Sequence, residues 1–230
     1  MTFDPDAMSD TIKEELEEAV MFETSGWAHE QVARVSERLQ RWRRGRDRKQ
    51  VHVVWVSRVS ALTMPGRHVY LSRHLLEELR GVDDMVAFVV AHELAHHDLG
   101  HFDHVEAPGA PADWGRLSGL ADAVGEAASW ARLGRGALSN VWASQEHERD
   151  ADRLGFEHCL RAGYDAEACL EVFRVLEARA LRWGDVDGVF GVEELAVGLL
   201  GALRRGVHGK QRGYDPLRER ARLLREGLRR

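Results

Sequence analysis

Apolar positions along this chain recur at two spacings, and the changes between them mark out its elements. From residue 9 to 42 the spacing is helical. Ile12, Leu16, Ala19 and Val20, then Val32, Val35, Leu39 and Trp42, place apolar side chains on one face, and Gly26 marks a break. Val51-His52-Val53-Val54-Trp55-Val56 is rich in β-branched residues and reads as a strand. His68-Val69-Tyr70-Leu71-Ser72 reads as a second strand, with residues 57–64 extended between them. His74 to Leu79 begins a helix. Asp83 and Asp84 then suit a helix start, Met85 to Ala91 is apolar throughout, and Gly100 suits the end, which predicts a buried helix. Residues 103–139 hold Pro108 and Pro111, then Leu117, Leu120, Val124, Ala127 and Ala131 at helical spacing, and read as a loop plus a helix. Helices follow from Ser144, over Ala166 to Trp183, over 192–206 and over 215–230. Between them Asp185, Asp187, Gly188 and Glu194 imitate part of a calcium loop. Trp183 stands where its first carboxylate is required, so the stretch reads as a polar turn.

The pattern predicts an α+β fold, mostly helical, with one small sheet packed on the Asp83 helix. The 230 residues fit a single domain. Its parts are N-terminal helices (1–50), the sheet and buried helix (51–105), an insertion of loop plus helix (106–140), and C-terminal helices (141–230).

Composition narrows the possibilities. An apolar share of 44% is ample for a core, and a charged share of 30% indicates a soluble surface. A net charge of −6 gives no general attraction to nucleic acid. The run Arg41, Arg43, Arg44, Arg46, Arg48, Lys49 has no aromatic stacking platform and reads as a solvated helix end. Cys159 and Cys169 cannot form a disulfide framework; a single bridge between them is open, and half-buried thiols on adjacent helices are the expectation. The first residues lack a basic segment followed by an apolar core, and no stretch approaches the roughly 18 apolar residues of a membrane span. The expected location is cytoplasmic. Oligomeric state is not legible.

The chemistry concentrates in His92-Glu93-Leu94-Ala95-His96. Two imidazoles four residues apart stand one turn above the other on the same side of a helix and can reach one zinc ion, with Glu93 beside them as a general base. A catalytic site needs a third protein ligand. The best candidates lie downstream in Glu148-Arg149-Asp150-Ala151-Asp152, where Glu148 and Asp152 again share one helical face. One carboxylate can bind metal while the other orients a ligating imidazole. Of the remaining histidines, His97 points about 100° away from His96 around the helix and is not expected as a ligand. His101 reads as structural. His104 and His147 stand near the site in sequence and are open to adventitious metal contact, with His147 facing another side of its helix from Glu148.

These residues resemble the HtpX and CAAX prenyl endopeptidase family of zinc metallopeptidases. Met64-Pro65-Gly66-Arg67-His68-Val69-Tyr70-Leu71-Ser72 is similar to the family's Pro-Gly turn and short strand. Val90 to His96 follows at the usual distance, and His101 matches a histidine common at the end of that helix. Ser144 to Tyr164, with Glu148, Ala151-Asp152, Gly155 and Ala162-Gly163-Tyr164-Asp165, is similar to the second zinc helix and the turn after it. The resemblance implies a zincin-like gluzincin fold with one zinc per chain on His92, His96 and Glu148, and Asp152 behind an imidazole. The chain departs from the family at Ser60-Ala61, where Asn-Ala is usual. It departs again at Tyr214-Asp215-Pro216-Leu217-Arg218-Glu219-Arg220, where Tyr214 takes a histidine's place and Arg220 matches an arginine. Tyr214 then becomes the expected hydrogen-bond donor to the transition state, with His208 next, and Arg220 a bidentate partner for a nearby carboxylate.

The expected function is a zinc-dependent endopeptidase. Extended or unfolded polypeptide would lie beside Ser60 to Met64 and pair with it main chain to main chain. The alternative is a non-catalytic peptide-binding or chaperone-like module on the same fold, against which the intact Glu93 argues.

Overall fold

The computed structural model describes residues 5–43, 46–56, 61–63, 66–79, 81–101, 145–183 and 216–228. The 106–140 insertion, the calcium-loop imitation, the expected 192–206 helix, His104, His208 and Tyr214 lie outside the described residues.

The chain opens with α1 (Pro5–Ala19), β1 (Met21–Glu23) and α2 (Trp27–Trp42). This corrects the sequence reading in two ways: the first helix begins before residue 9, and a strand stands between the helices. Met21, Phe22 and Glu23 are extended because they pair antiparallel with Trp55, Val54 and Val53. Three residues are too few for an alternating pattern to declare itself. Helical spacing puts Trp42 on the apolar face of α2; it is instead 54% exposed, past the last buried turn at Leu39.

The sheet is completed by β2 (Gln50–Trp55), β3 (Ala61–Thr63) and β4 (His68–Ser72), in the order β1-β2-β4-β3. The central pair, β2 and β4, is parallel; both outer pairs are antiparallel. Successive side chains in β4 point to opposite faces. Val69 and Leu71 join Val53 and Ala61 in the main core. His68 and Tyr70 lie on the other face with His52 and Phe22, where α1 packs. There His68 Nε2 donates to Asp10 of α1 at 2.9 Å, so its Nδ1 must accept from His52 Nε2, also at 2.9 Å. Burial and the neighbouring imidazole push His52 down to about 4, which keeps this chain of rings neutral.

Ser72 closes the sheet and caps α3 (Arg73–Glu78) through its hydroxyl, which accepts from the Leu75 N–H. Next comes α4 (Asp83–Asp98), with Met85 through His96 buried on every side, as its unbroken apolar run predicts. It packs against α2, β3, α5 (Gln145–Arg161) and α6 (Ala166–Trp183). Phe88, Phe156 and Phe173 meet edge to face at the centre of that packing. The last described helix, α7 (Leu217–Gly227), lies on α5 and α6. Cys159 of α5 and Cys169 of α6 are fully buried free thiols, deeper than the half-burial expected.

The far end of α4 corrects the reading of the basic run. Arg43 is not solvated. Its guanidinium donates to both oxygens of Asp98, at 2.9 and 2.5 Å, and His158 Nε2 donates to Oδ2 at 2.9 Å. Both side chains of the Arg43–Asp98 pair are almost wholly buried. Asp98 therefore ties α2 and α5 to the end of α4, and these partners hold its carboxyl well below the usual range despite burial.

Among the described residues, no helix is long and apolar enough to cross a membrane.

Candidate metal centre

Two helices meet at the site. A Cβ added to Gly155 of α5 would lie 2.8 Å from the His92 nitrogen and 2.9 Å from its Cα. Only hydrogen fits between those backbones. The close approach brings the carboxylates of Glu148 and Asp152, on the turns of α5 before Gly155, against His92 and His96 of α4.

His92 Nδ1 donates to Asp152 Oδ1 at 3.0 Å, which fixes the ring's tautomer and turns the Nε2 lone pair toward the site. His96 Nδ1 lies 2.9 Å from His101 Nδ1, so its Nε2 also faces the site. Glu148 presents Oε2 to His92 Nε2 and Oε1 to His96 Nε2, each at 3.5 Å. Ligand atoms of His92, His96 and Glu148 thus lie within 4.8 Å of one another, with all three residues buried. Two imidazole nitrogens and a carboxylate form a donor set suited to a divalent metal such as zinc.

Arg220 of α7 stands behind this group. It grips Asp152 with two bonds of 2.7 Å and reaches Glu148 Oε2 at 3.5 Å. Burial alone would raise Asp152, yet Arg220 and His92 push it down to about 2. Glu148 is also lowered, by His92, His96 and Arg220 acting against its burial. A guanidinium buried beside two carboxylates keeps both charged, as metal binding requires.

Glu93, the next residue on α4, is 4% exposed. Burial pushes its carboxyl up to about 7, against the opposing influence of His92, Arg220 and the Thr63 backbone. A base of that strength is suited to exchanging a proton near neutral pH.

The structure brings together His92, Glu93, His96, Glu148, Asp152 and Arg220. Tyr214 lies outside the described residues. Sequence reasoning missed His101 as the partner of His96, because five residues on a straight helix would separate their faces. The helix does not stay straight. Gly100 turns at φ +66 and the His101 N–H bonds back to the His96 carbonyl at 3.1 Å, a Schellman ending that folds His101 onto His96. The Gly-His pair after the helix was the available signal. The ring of His147 stacks on His101, centroids 4.2 Å apart.

Compared with known families, residues 23–210 match peptidase family M48. No curated protein matches the chain.

Proposed function

The chain belongs to peptidase family M48, and from that premise we propose that it is a zinc-dependent endopeptidase acting on extended or unfolded polypeptide. Within the family we place it with the HtpX and CAAX prenyl endopeptidase branch, on the Pro65-Gly66 turn, the His92–His96 and Glu148–Asp152 pairs and the Ala162-Gly163-Tyr164-Asp165 turn. The observation that carries the reading is the convergence of His92, His96 and Glu148, with the far nitrogens of both imidazoles already engaged.

In this reading His92, His96 and Glu148 would hold the metal. Zinc there would supply a Lewis acid that polarises the scissile carbonyl and acidifies a water. Glu93, buried beside these residues, would take a proton from the attacking water and pass it to the leaving amine. Asp152 keeps His92 in the ligating tautomer, and Arg220 keeps Asp152 ionised and fixed. The outer strand β3 lies against α4, so a substrate main chain paired with its edge, which no described strand occupies, would run past Glu93. Such pairing reads backbone more than side chains, which favours unfolded substrates of varied sequence.

Metal removal tests the reading. Purified protein is expected to carry one zinc per chain and to cleave casein. A chelator should abolish cleavage and added zinc restore it. Glu148→Ala should retain neither metal nor activity, because two protein ligands remain. No cleavage by zinc-loaded wild type, across several unfolded substrates, would favour the non-catalytic peptide-binding module.

Tyr214 is our candidate for the donor to the oxyanion. Removing such a donor costs on the order of 100-fold in kcat. Tyr214→Phe is expected to lose about that much with zinc and stability unchanged. Near-normal kcat would move the role to another residue, with His208 the next to try.

A further inference from the structure

Helix α4 carries two ladders of side chains, one residue out of step. His92 and His96 face α5. Glu93 and His97 are the next rungs, turned about 100° around the axis, and both are met by one residue of β3. The Thr63 backbone is among the neighbours that lower the Glu93 carboxyl against its burial. The Thr63 hydroxyl shares a hydrogen bond of 2.5 Å with His97 Nε2. Thr63 is 1% exposed and Ala61, on the same strand face, 2%.

Strand β3 needs such a tie. It is three residues long, stands at the outside of the sheet, and pairs with β4 alone among the described strands. A short outer strand is held weakly by its ladder. A buried hydroxyl is costly unless bonded, and valine would fill the same space more favourably. The polar choice at residue 63 makes sense through its partner on α4. His97 has a matching role: it is directed away from the metal ligands and toward the strand.

We propose that Thr63 and His97 form a latch that fixes β3 against α4, making both positioning residues. The latch sets the register of β3 against the helix that carries Glu93, and with it the line along which the edge of β3 meets a substrate. The kinetic part of this inference rests on the peptidase reading; the latch itself does not.

The experiment compares full-length, zinc-loaded wild type with Thr63→Val, Thr63→Ser, His97→Leu, His97→Gln and the Thr63→Val/His97→Leu double variant. Amide exchange of residues 61–63 reports the latch without reference to activity. Zinc content, kcat and KM on an unfolded polypeptide report its consequence. Thr63→Val and His97→Leu should each speed exchange and lower kcat roughly 10-fold, with zinc unchanged, because the base and strand are misplaced. The double variant should be no worse than either single, since both break the same bond. Thr63→Ser and His97→Gln, which keep a bonding group, should stay near wild type, and they keep the test open if His97→Leu fails to fold. Unchanged exchange in Thr63→Val would overturn the latch, as would losses that multiply in the double variant. Faster exchange with unchanged kcat would reduce Thr63 to a structural part. Absence of hydrolysis in wild type would sink the peptidase reading while exchange still decides the latch.

Discussion

Glu93→Gln should yield a folded, zinc-loaded protein in which hydrolysis falls by about 10²–10⁴-fold. Glutamine keeps the size of the side chain and one of its oxygens, so the local packing has no reason to change. It removes only the proton acceptor. Stability at neutral pH should not fall, because burial disfavours the ionised carboxylate that the substitution eliminates. Zinc content and kcat measured on the same preparation decide the matter. Normal turnover in a variant with full zinc would mean that Glu93 is not the base.

Asp152→Ala is expected to have the largest effect on stability. Its carboxylate receives two 2.7 Å bonds from Arg220 and one of 3.0 Å from His92. Arg220 is 6% exposed, so the substitution would leave its charge buried. After the substitution Glu148, at 3.5 Å, would have to neutralise it from the metal side. Breaking a buried pair by deleting one partner typically costs about 3–5 kcal/mol. Zinc affinity should fall about 10–100-fold, because His92 loses the acceptor that fixes its tautomer. Urea unfolding and competition with a coloured chelator measure the two effects. A loss of less than about 1 kcal/mol would show that the site relaxes around Arg220.

Much of this site is legible in the amino-acid sequence because α4 carries His92 and His96, and α5 carries Glu148 and Asp152, each pair four residues apart. The start of α4 is legible too, from Asp83 and Asp84 followed by an apolar run. Periodicity reports which residues share a face; it does not report what that face meets. Arg43 and Asp98 are far apart in sequence, and nothing local announces that one cation of a basic run turns inward to a carboxylate at a helix end. The same holds for Thr63, a β-branched residue that reads as ordinary strand material until His97 is beside it. β1 escaped because three residues carry too little pattern. Arg220 was marked by its resemblance to a family position, and its grip on Asp152 emerges only when α7 is placed against α5.

Gly155 makes the metal centre behave like a calliper closed onto its stop. With no atom beyond hydrogen between the α5 backbone and His92, the gap across which imidazoles face carboxylates is gauged by main chain touching main chain. Side-chain rotamers can adjust aim within that gap but cannot narrow it. Even a methyl group at this position would act as a shim, lifting Asp152 and Glu148 together from the two histidines. The dimensions of the site thus depend on a residue that offers no ligand, no charge and no side chain.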